Sequence, residues 1–280
     1  MSLLDDYRRP ARGERCPICG KRDWCLLARE GGSEPVSALC KREPSPITWG
    51  EAGYLHRLRE GPIAARCPRP FVPPPEPIDH RAEAERLATG APLDPIAAAL
   101  GLPTGALRRL GVGWSSSERC STWPTWNASG KCIGIVRRSA DGTKRLRKGD
   151  HPGLYLPRDL PEDLSSERIL LVEGGSDTAA GLALGRWAVG RFSCDQGGKL
   201  IARLATRRRM LAATIVSDND AKRAGANPGL AGALKLRETL RSIVPDLRLV
   251  SPPANWKDLR EWLRAGATGE DLARAEREAR

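Results

Sequence analysis

The feature that most constrains the fold of this chain is an alternation of apolar strands and helical segments that begins near residue 167. The predicted buried strands are RILLVEG (168–174), WAVGRFS (187–193), LAATIVSDND (211–220) and LRLVSPP (247–253). Strands that alternate with helices form right-handed βαβ units, which build a parallel sheet covered on both faces. We therefore predict an α/β domain whose parallel sheet is flanked by helices.

Acidic residues follow two of these predicted strands. Glu173 leaves the first strand, and Asp177 comes one helical turn later. Asp218 and Asp220 leave another strand about 45 residues further on. Ligands of an open parallel sheet bind beyond the carboxyl ends of its strands. If the two strands are neighbours, the four carboxylates converge on one patch.

Such a patch needs a compensating group. Two like charges about 4 Å apart repel by roughly 4 kcal/mol at an effective dielectric constant near 20. A retained proton, an intruding basic side chain or a divalent metal would relieve the repulsion, and Mg²⁺ suits carboxylates and substrate phosphates. Each acid by itself also has a structural explanation as a turn or helix cap. Gly174 and Gly175 would let the backbone approach a phosphate.

Four of the eight cysteines lie in the first 40 residues: Cys16, Cys19, Cys25 and Cys40. Their spacing is C-x2-C-x5-C-x14-C, and four thiolates suit tetrahedral zinc. The alternative is a reduced CxxC with two unrelated thiols, and His56 and Cys67 are reserve ligands. A zinc-stapled module this small could touch a single-stranded nucleic acid. Trp24 is a candidate for base stacking, although a place in the module's own core is the stronger expectation.

The formal net charge of +12 indicates a polyanionic partner. The sequence has neither an apolar run of about 18–20 residues nor an N-terminal signal sequence, so we expect a cytoplasmic protein without a membrane partner. A basic strip carries seven Lys or Arg residues against Asp141. Trp123 and Trp126 lie nearby as possible stacking residues, and core packing is an equally strong expectation for each. We predict that the strip contacts nucleic-acid phosphates, together with Lys222. The strip consists of Lys131, Arg137, Arg138, Lys144, Arg145, Arg147 and Lys148.

Six prolines between Pro68 and Pro77 predict an extended spacer. Short β-prone pieces from about residue 122, separated by turn signals, predict a small antiparallel meander. The expected organisation is a zinc-ribbon-like module (1–66), a Pro-rich linker (67–80), an α+β segment (81–164), the parallel-sheet domain (165–265) and a C-terminal helix (266–280).

EGGSD and SDND resemble the two signature motifs of the Toprim fold, which primases, topoisomerases and certain nucleases share. The order of zinc knuckle, linker, mixed segment and Toprim resembles bacterial, phage and plasmid primases. KRLRKGDHPGLYLP (144–157) resembles the segment that precedes Toprim there, and NWKDL (255–259) resembles its later K-D element. The resemblance implies that Glu173 is the general acid/base, Asp218 and Asp220 hold Mg²⁺ or Mn²⁺ beside Glu173, Asp177 supports them and Asp258 is an accessory acid.

By this resemblance the chain would be a DNA-directed nucleotidyltransferase that makes short primers from NTPs on single-stranded DNA, in the replication of a mobile element. It lacks G-x-x-x-x-G-K-[ST], so a separate helicase is expected. Two alternatives stay open: a Toprim nuclease, and a zinc/Toprim module that only binds nucleic acid or a replication partner.

Overall fold

A computed structural model describes residues 7–29, 34–48, 53–59, 78–219 and 227–279. The chain divides into two compact units, Met1–Pro75 and Glu76–Arg280. Asp220, Lys222, Cys67 and most of the predicted linker lie outside the described residues. Among the described helices, none combines the length and the apolar character needed to cross a bilayer.

The first unit contains one antiparallel sheet whose strands are ordered as they occur in the chain. Its buried centre is small and combines the cysteines Cys16, Cys25 and Cys40 with the apolar side chains of Leu27 and Leu39, each 1% exposed or less. A unit with so small a core depends on a cross-link or a metal for its stability. The strands are β1 (Tyr7–Arg8), β2 (Leu26–Ala28), β3 (Ser37–Cys40) and β4 (Tyr54–Arg57).

The second unit begins with three short helices and a four-stranded antiparallel sheet, which confirms the predicted meander and adds a first strand to it. The helices are α1 (His80–Ala88), α2 (Leu93–Leu100) and α3 (Thr104–Arg109). The strands are β5 (Gly113–Ser115), β6 (Cys120–Trp126), β7 (Cys132–Arg138) and β8 (Lys144–Arg145).

The alternating region forms the predicted parallel sheet. Its strands are β9 (Arg168–Glu173), β10 (Ala188–Arg191), β11 (Ala212–Val216) and β12 (Asp246–Val250). The helices between them are α4 (Gly174–Ala183), α5 (Gly198–Arg207) and α6 (Pro228–Leu240), and α7 (Leu259–Arg264) and α8 (Gly269–Glu278) follow. Leu170 and Val172 pack into one apolar cluster and Ile169 and Leu171 into another, so β9 is buried on both faces.

The strand order is β10-β9-β11-β12, and every neighbouring pair is parallel. From β9 the chain crosses to β10 on one side and then returns to β11 on the other side. The crevice between β9 and β11 is therefore the topological switch point, where open α/β sheets bind ligands.

Two residues join the antiparallel sheet to the parallel one. Leu154 exchanges main-chain hydrogen bonds of 2.8 Å with Trp126 at the end of β6. The next residue, Tyr155, bonds in the same way to Gly190 in β10, at 2.8 and 3.0 Å. Leu154 and Tyr155 thus fix the antiparallel sheet against the edge strand β10 of the parallel sheet.

Candidate active site and zinc centre

Glu173 and Asp218 lie on either side of the switch point. Glu173 is the last residue of β9, and Asp218 follows β11 by two positions. Because β9 and β11 are hydrogen-bonded neighbours, no other element lies between the two acids. Gly229, near the start of α6, packs under Asp218, since a Cβ there would lie 2.6 Å from the Asp218 carbonyl oxygen.

Asn219, which follows Asp218, ties the β11 end to the loop before α7. Its main-chain N–H donates to the Lys257 carbonyl oxygen at 2.6 Å. Its side-chain amide donates to the carbonyl oxygens of Pro252 at 2.8 Å and Trp256 at 2.9 Å. No local sequence pattern indicates this role of Asn219, because its partners lie more than 30 residues away.

Asp177 and Asp258 are two buried acids whose charges interact. Asp177 is 5% exposed in the first turns of α4, and Asp258 is 7% exposed as the N-cap of α7, where it accepts a bond from Glu261 N–H at 2.8 Å. Burial first, and the Asp258 charge second, raise the pKa of Asp177 to about 7. A hydrogen bond of 3.0 Å from Arg260 N–H acts in the opposite direction.

The two glycines of EGGSD have different roles. Gly174 has a φ of +79°, a conformation that a side chain makes unfavourable, and it begins α4. A Cβ at Gly175 would lie only 2.6 Å from the Trp123 ring, so its small size serves packing rather than an approach to phosphate. Trp123 itself is 2% exposed and packs edge-on to Tyr155, which makes the stacking interpretation of Trp123 wrong.

Two residues of the basic strip interact electrostatically with the acidic cluster, which consists of Glu173, Asp177 and Asp218. Arg138 pairs with Lys144 across the β7–β8 hairpin. Desolvation and the Arg138 charge lower the pKa of Lys144, while the carboxylates of Glu173, Asp177 and Asp218 act to raise it. Lys144 therefore lies within the electrostatic reach of all three acids. Desolvation also lowers the pKa of Arg138, followed by the like charge of Arg260.

The strip is divided between two environments. Arg137 is 3% exposed and forms ion pairs of 2.9 Å with Glu83 and 3.0 Å with both Glu118 and Asp150, so it has no surface to offer a phosphate. Arg147 shares Glu83 and Glu118 with it. Arg137 is therefore removed from the proposed phosphate-contacting set. It differs from Arg138, the next residue of β7, because successive residues of a strand face opposite sides of the sheet. Lys131, Arg145 and Lys148 are exposed.

The acidic cluster fits a hard divalent cation by its chemistry. Carboxylate oxygens are the ligands that Mg²⁺ and Mn²⁺ prefer. Glu173 and Asp218 leave neighbouring strands at one edge, and both act on the charges of Lys144 and Arg191. In the described part of the chain, only the cysteine cluster brings three or more potential ligand atoms within 4.8 Å of one another.

The cysteine cluster has the dimensions of a tetrahedral zinc site. All four sulfurs lie within 4.8 Å of one another, with Sγ–Sγ distances of 3.6 Å for Cys19–Cys25 and 3.8 Å for Cys25–Cys40. Sulfurs bound to tetrahedral zinc by bonds of about 2.3 Å are about 3.8 Å apart. The reserve ligand His56 instead bonds the Glu43 carbonyl oxygen at 2.9 Å.

Trp24 lies beside the cysteines but outside the core. It is 65% exposed, and Lys41 Nζ lies 5.7 Å from its ring centroid. Its φ of +67° is unusual for a residue with a side chain. The expectation that Trp24 fills the module's own core is therefore wrong.

The fold is shared with solved primase structures. The zinc-binding and RNA polymerase domains of the Aquifex aeolicus primase align at 15% identity and a TM-score of 0.57, over 72% of this chain and 61% of that chain. The E. coli primase catalytic core aligns at 16% identity and a TM-score of 0.54, over 72% and 78%. A DnaG primase catalytic domain bound to single-stranded DNA aligns at 17% identity and a TM-score of 0.51, over 71% and 82%.

No family model and no curated protein matches the chain. The class of fold is given by the structural alignments alone, and it is that of bacterial primase catalytic cores. This chain has a four-cysteine cluster in its N-terminal unit, and the Aquifex aeolicus primase structure also contains a zinc-binding domain.

Proposed function

We propose that this protein is a primase that joins NTPs into short oligonucleotides on single-stranded DNA with the help of a divalent metal ion. The observation that carries the proposal is the position of Glu173 and Asp218 at the ends of neighbouring parallel strands, on either side of the switch point. This geometry occurs in a fold shared with primase catalytic cores, one of which was solved with single-stranded DNA.

The proposed roles follow from where each acid lies. Glu173, 25% exposed at the strand end, is the general acid/base that takes the proton from the attacking hydroxyl. Glu173, Asp218 and Asp220 would hold Mg²⁺ or Mn²⁺, which neutralises the charge that develops on the transferring phosphoryl group. Asp177 supports the cluster from its buried position, and Asp258 acts indirectly by capping α7.

Nucleic acid would bind along the basic face of the second unit. Arg138 and Lys144 lie nearest the acids and are the best candidates for nucleotide phosphates, with Lys131, Arg145, Lys148 and Lys222 extending the track. In the zinc module, the exposed Trp24 with Lys41 beside it offers a stacking surface for a template base. We further propose that the protein acts with a separate helicase in the cytoplasm, in the replication of a mobile element.

The test is a primer-synthesis assay with single-stranded DNA, labelled NTPs and Mg²⁺ or Mn²⁺. Wild type is compared with Glu173→Gln and Asp218→Asn, and with Glu238→Gln as the matched control on the exposed face of α6. We expect labelled oligomers from wild type and the control, and a loss of at least about 100-fold in the two site variants. Shortened DNA without NTPs would instead indicate a nuclease. DNA binding without either product would indicate a non-catalytic module.

A further inference from the structure

Arg191 is a buried cation at the end of β10 that the sequence analysis read as an ordinary strand residue. It is 5% exposed and pairs in register with Glu173 on the neighbouring strand. Its Nη2 lies 3.9 Å from Glu173 Oε2. Glu173 and Asp218 are two of the acids that act on its charge.

The guanidinium is held in place by neutral groups. Arg191 Nη1 donates to the carbonyl oxygens of Cys194 at 2.7 Å and Gly232 at 3.0 Å. Glycines make the space for it, because a Cβ at Gly232 would lie 3.1 Å from Nη2 and one at Gly197 would lie 2.9 Å from the Arg191 Cβ. Main-chain carbonyls orient the group without cancelling its charge, so a fixed positive charge faces the acidic cluster.

We propose that Arg191 is the resident counter-ion of the acidic cluster and that it keeps the affinity of this site for a free divalent ion low. The inference rests on the metal-dependent function proposed above. A fixed cation about 4 Å from a ligand carboxylate opposes a divalent ion at the same carboxylate and also relieves the repulsion among the acids. A metal ion then binds well only together with nucleotide phosphates, which bring negative charge of their own.

The sign of this effect separates a counter-ion from a structural residue. A residue that only supports the fold weakens metal binding when it is removed, because the ligands lose their positions. Removing a counter-ion strengthens metal binding, because the carboxylates are no longer neutralised. Arg191→Gln and the apolar Arg191→Met should therefore bind Mn²⁺ about tenfold more tightly than wild type when no nucleotide is present. Arg191→Lys keeps the charge and should resemble wild type.

The matched control is Arg208→Gln. Arg208 is 8% exposed and also donates to two main-chain carbonyl oxygens, those of Leu160 and Pro161, both at 2.8 Å. It follows α5 and pairs with Glu162 rather than with the acidic cluster. Its loss should leave Mn²⁺ affinity unchanged.

The experiment measures free Mn²⁺ by electron paramagnetic resonance during titration of the zinc-loaded full chain, with and without a non-hydrolysable NTP analogue. An unchanged or weaker Mn²⁺ affinity in folded Arg191→Gln overturns the proposal. If neither neutral variant folds, wild type decides. After the Mn²⁺ bound by the analogue alone is subtracted, the nucleotide must tighten Mn²⁺ binding to the protein at least about tenfold, and equal affinities overturn the proposal. The Mn²⁺ titration does not depend on primer synthesis. A wild type that makes no primers would therefore overturn the proposed function, while the Mn²⁺ affinities would still test the role of Arg191.

Discussion

The main-chain N–H of Arg260 donates a hydrogen bond to the buried carboxylate of Asp177, 83 residues earlier in the chain, at 3.0 Å. The bond joins the first turn of α7 to the first turns of α4, the helix that starts directly after Glu173. With the Asn219 contacts, it fixes the loop that ends at Asp258 against both acidic strand ends. The acidic site is thus held together by hydrogen bonds between side chains and the main chain of distant segments.

Asp177→Asn should stabilise the protein more at pH 8 than at pH 5. The folded pKa of Asp177 is about 7, above the ordinary value near 3.9 for an unfolded chain. Ionisation therefore favours the unfolded state increasingly as the pH rises from about 4 to 7, and the full penalty stays above that window. Asn cannot ionise and keeps an acceptor for Arg260 N–H. Thermal melts without added Mg²⁺ measure the difference, and an equal gain at both pH values would contradict the assignment. Asp159→Asn, on an exposed ion pair, is the control.

Asn219→Ala should lower primer synthesis about tenfold or more while the fold is kept, because a displaced loop moves acids that must be positioned within a fraction of an ångström. It removes the amide that donates to Pro252 and Trp256. Hydrogen exchange in the 252–257 loop should accelerate in the same variant. The neighbouring exposed Asn255, replaced by Ala, should change neither quantity. Full activity together with faster exchange would show that the Asn219 side-chain hydrogen bonds are dispensable for primer synthesis.

Zinc should bind at one equivalent per chain and should be lost as the pH falls. Burial raises the pKa of Cys25 to about 12, so zinc must displace a proton from that thiol. Proton release on zinc binding and the metal content of Cys40→Ser check the site. Cys120→Ser is the matched control, since Cys120 is buried in the second unit. A Cys40→Ser variant with full zinc content would remove Cys40 from the ligand set.

Trp24→Ala should weaken binding to single-stranded DNA by roughly fivefold or more, as stacking on an aromatic side chain contributes about 1–3 kcal/mol per base. The ring is largely exposed, so thermal stability should change little. Fluorescence anisotropy at several salt concentrations measures both the affinity and its salt dependence. The salt slope should stay constant because no phosphate contact is lost, and Trp24→Phe should recover most of the affinity. Equal binding by Trp24→Ala and wild type would contradict a stacking role.

Arg137→Met and Lys144→Met should separate stability from binding. Arg137 neutralises Asp150, and each of these two side chains is 3% exposed. The Arg137→Met variant leaves the Asp150 charge buried without this partner, which should lower the free energy of unfolding by about 3–5 kcal/mol. Lys144→Met should keep the stability and lower NTP or DNA affinity. Urea unfolding and anisotropy measure the two quantities. A stable Arg137→Met that binds DNA poorly would restore Arg137 to the phosphate-contacting set.

Local patterns predicted most of the second unit correctly. Apolar periodicity gave the four parallel strands and the helices between them, and turn residues gave the meander from residue 122. The same reasoning failed for Trp24, which was expected in the core and is 65% exposed, and it left Trp123 open between stacking and core packing. A tryptophan has the same apolar character in a core and on a surface, so only its neighbours decide between the two.

The sequence by itself determined which side chains stand at the ends of which strands, because side-chain direction and strand boundaries follow from local periodicity. Only the tertiary structure decided that β9 and β11 are neighbours, that Arg191 faces Glu173, and that Arg137 is enclosed by acids rather than presented to a phosphate. Strand order and the burial of a charge depend on contacts between residues far apart in the chain, and no local pattern encodes the free energy of those contacts.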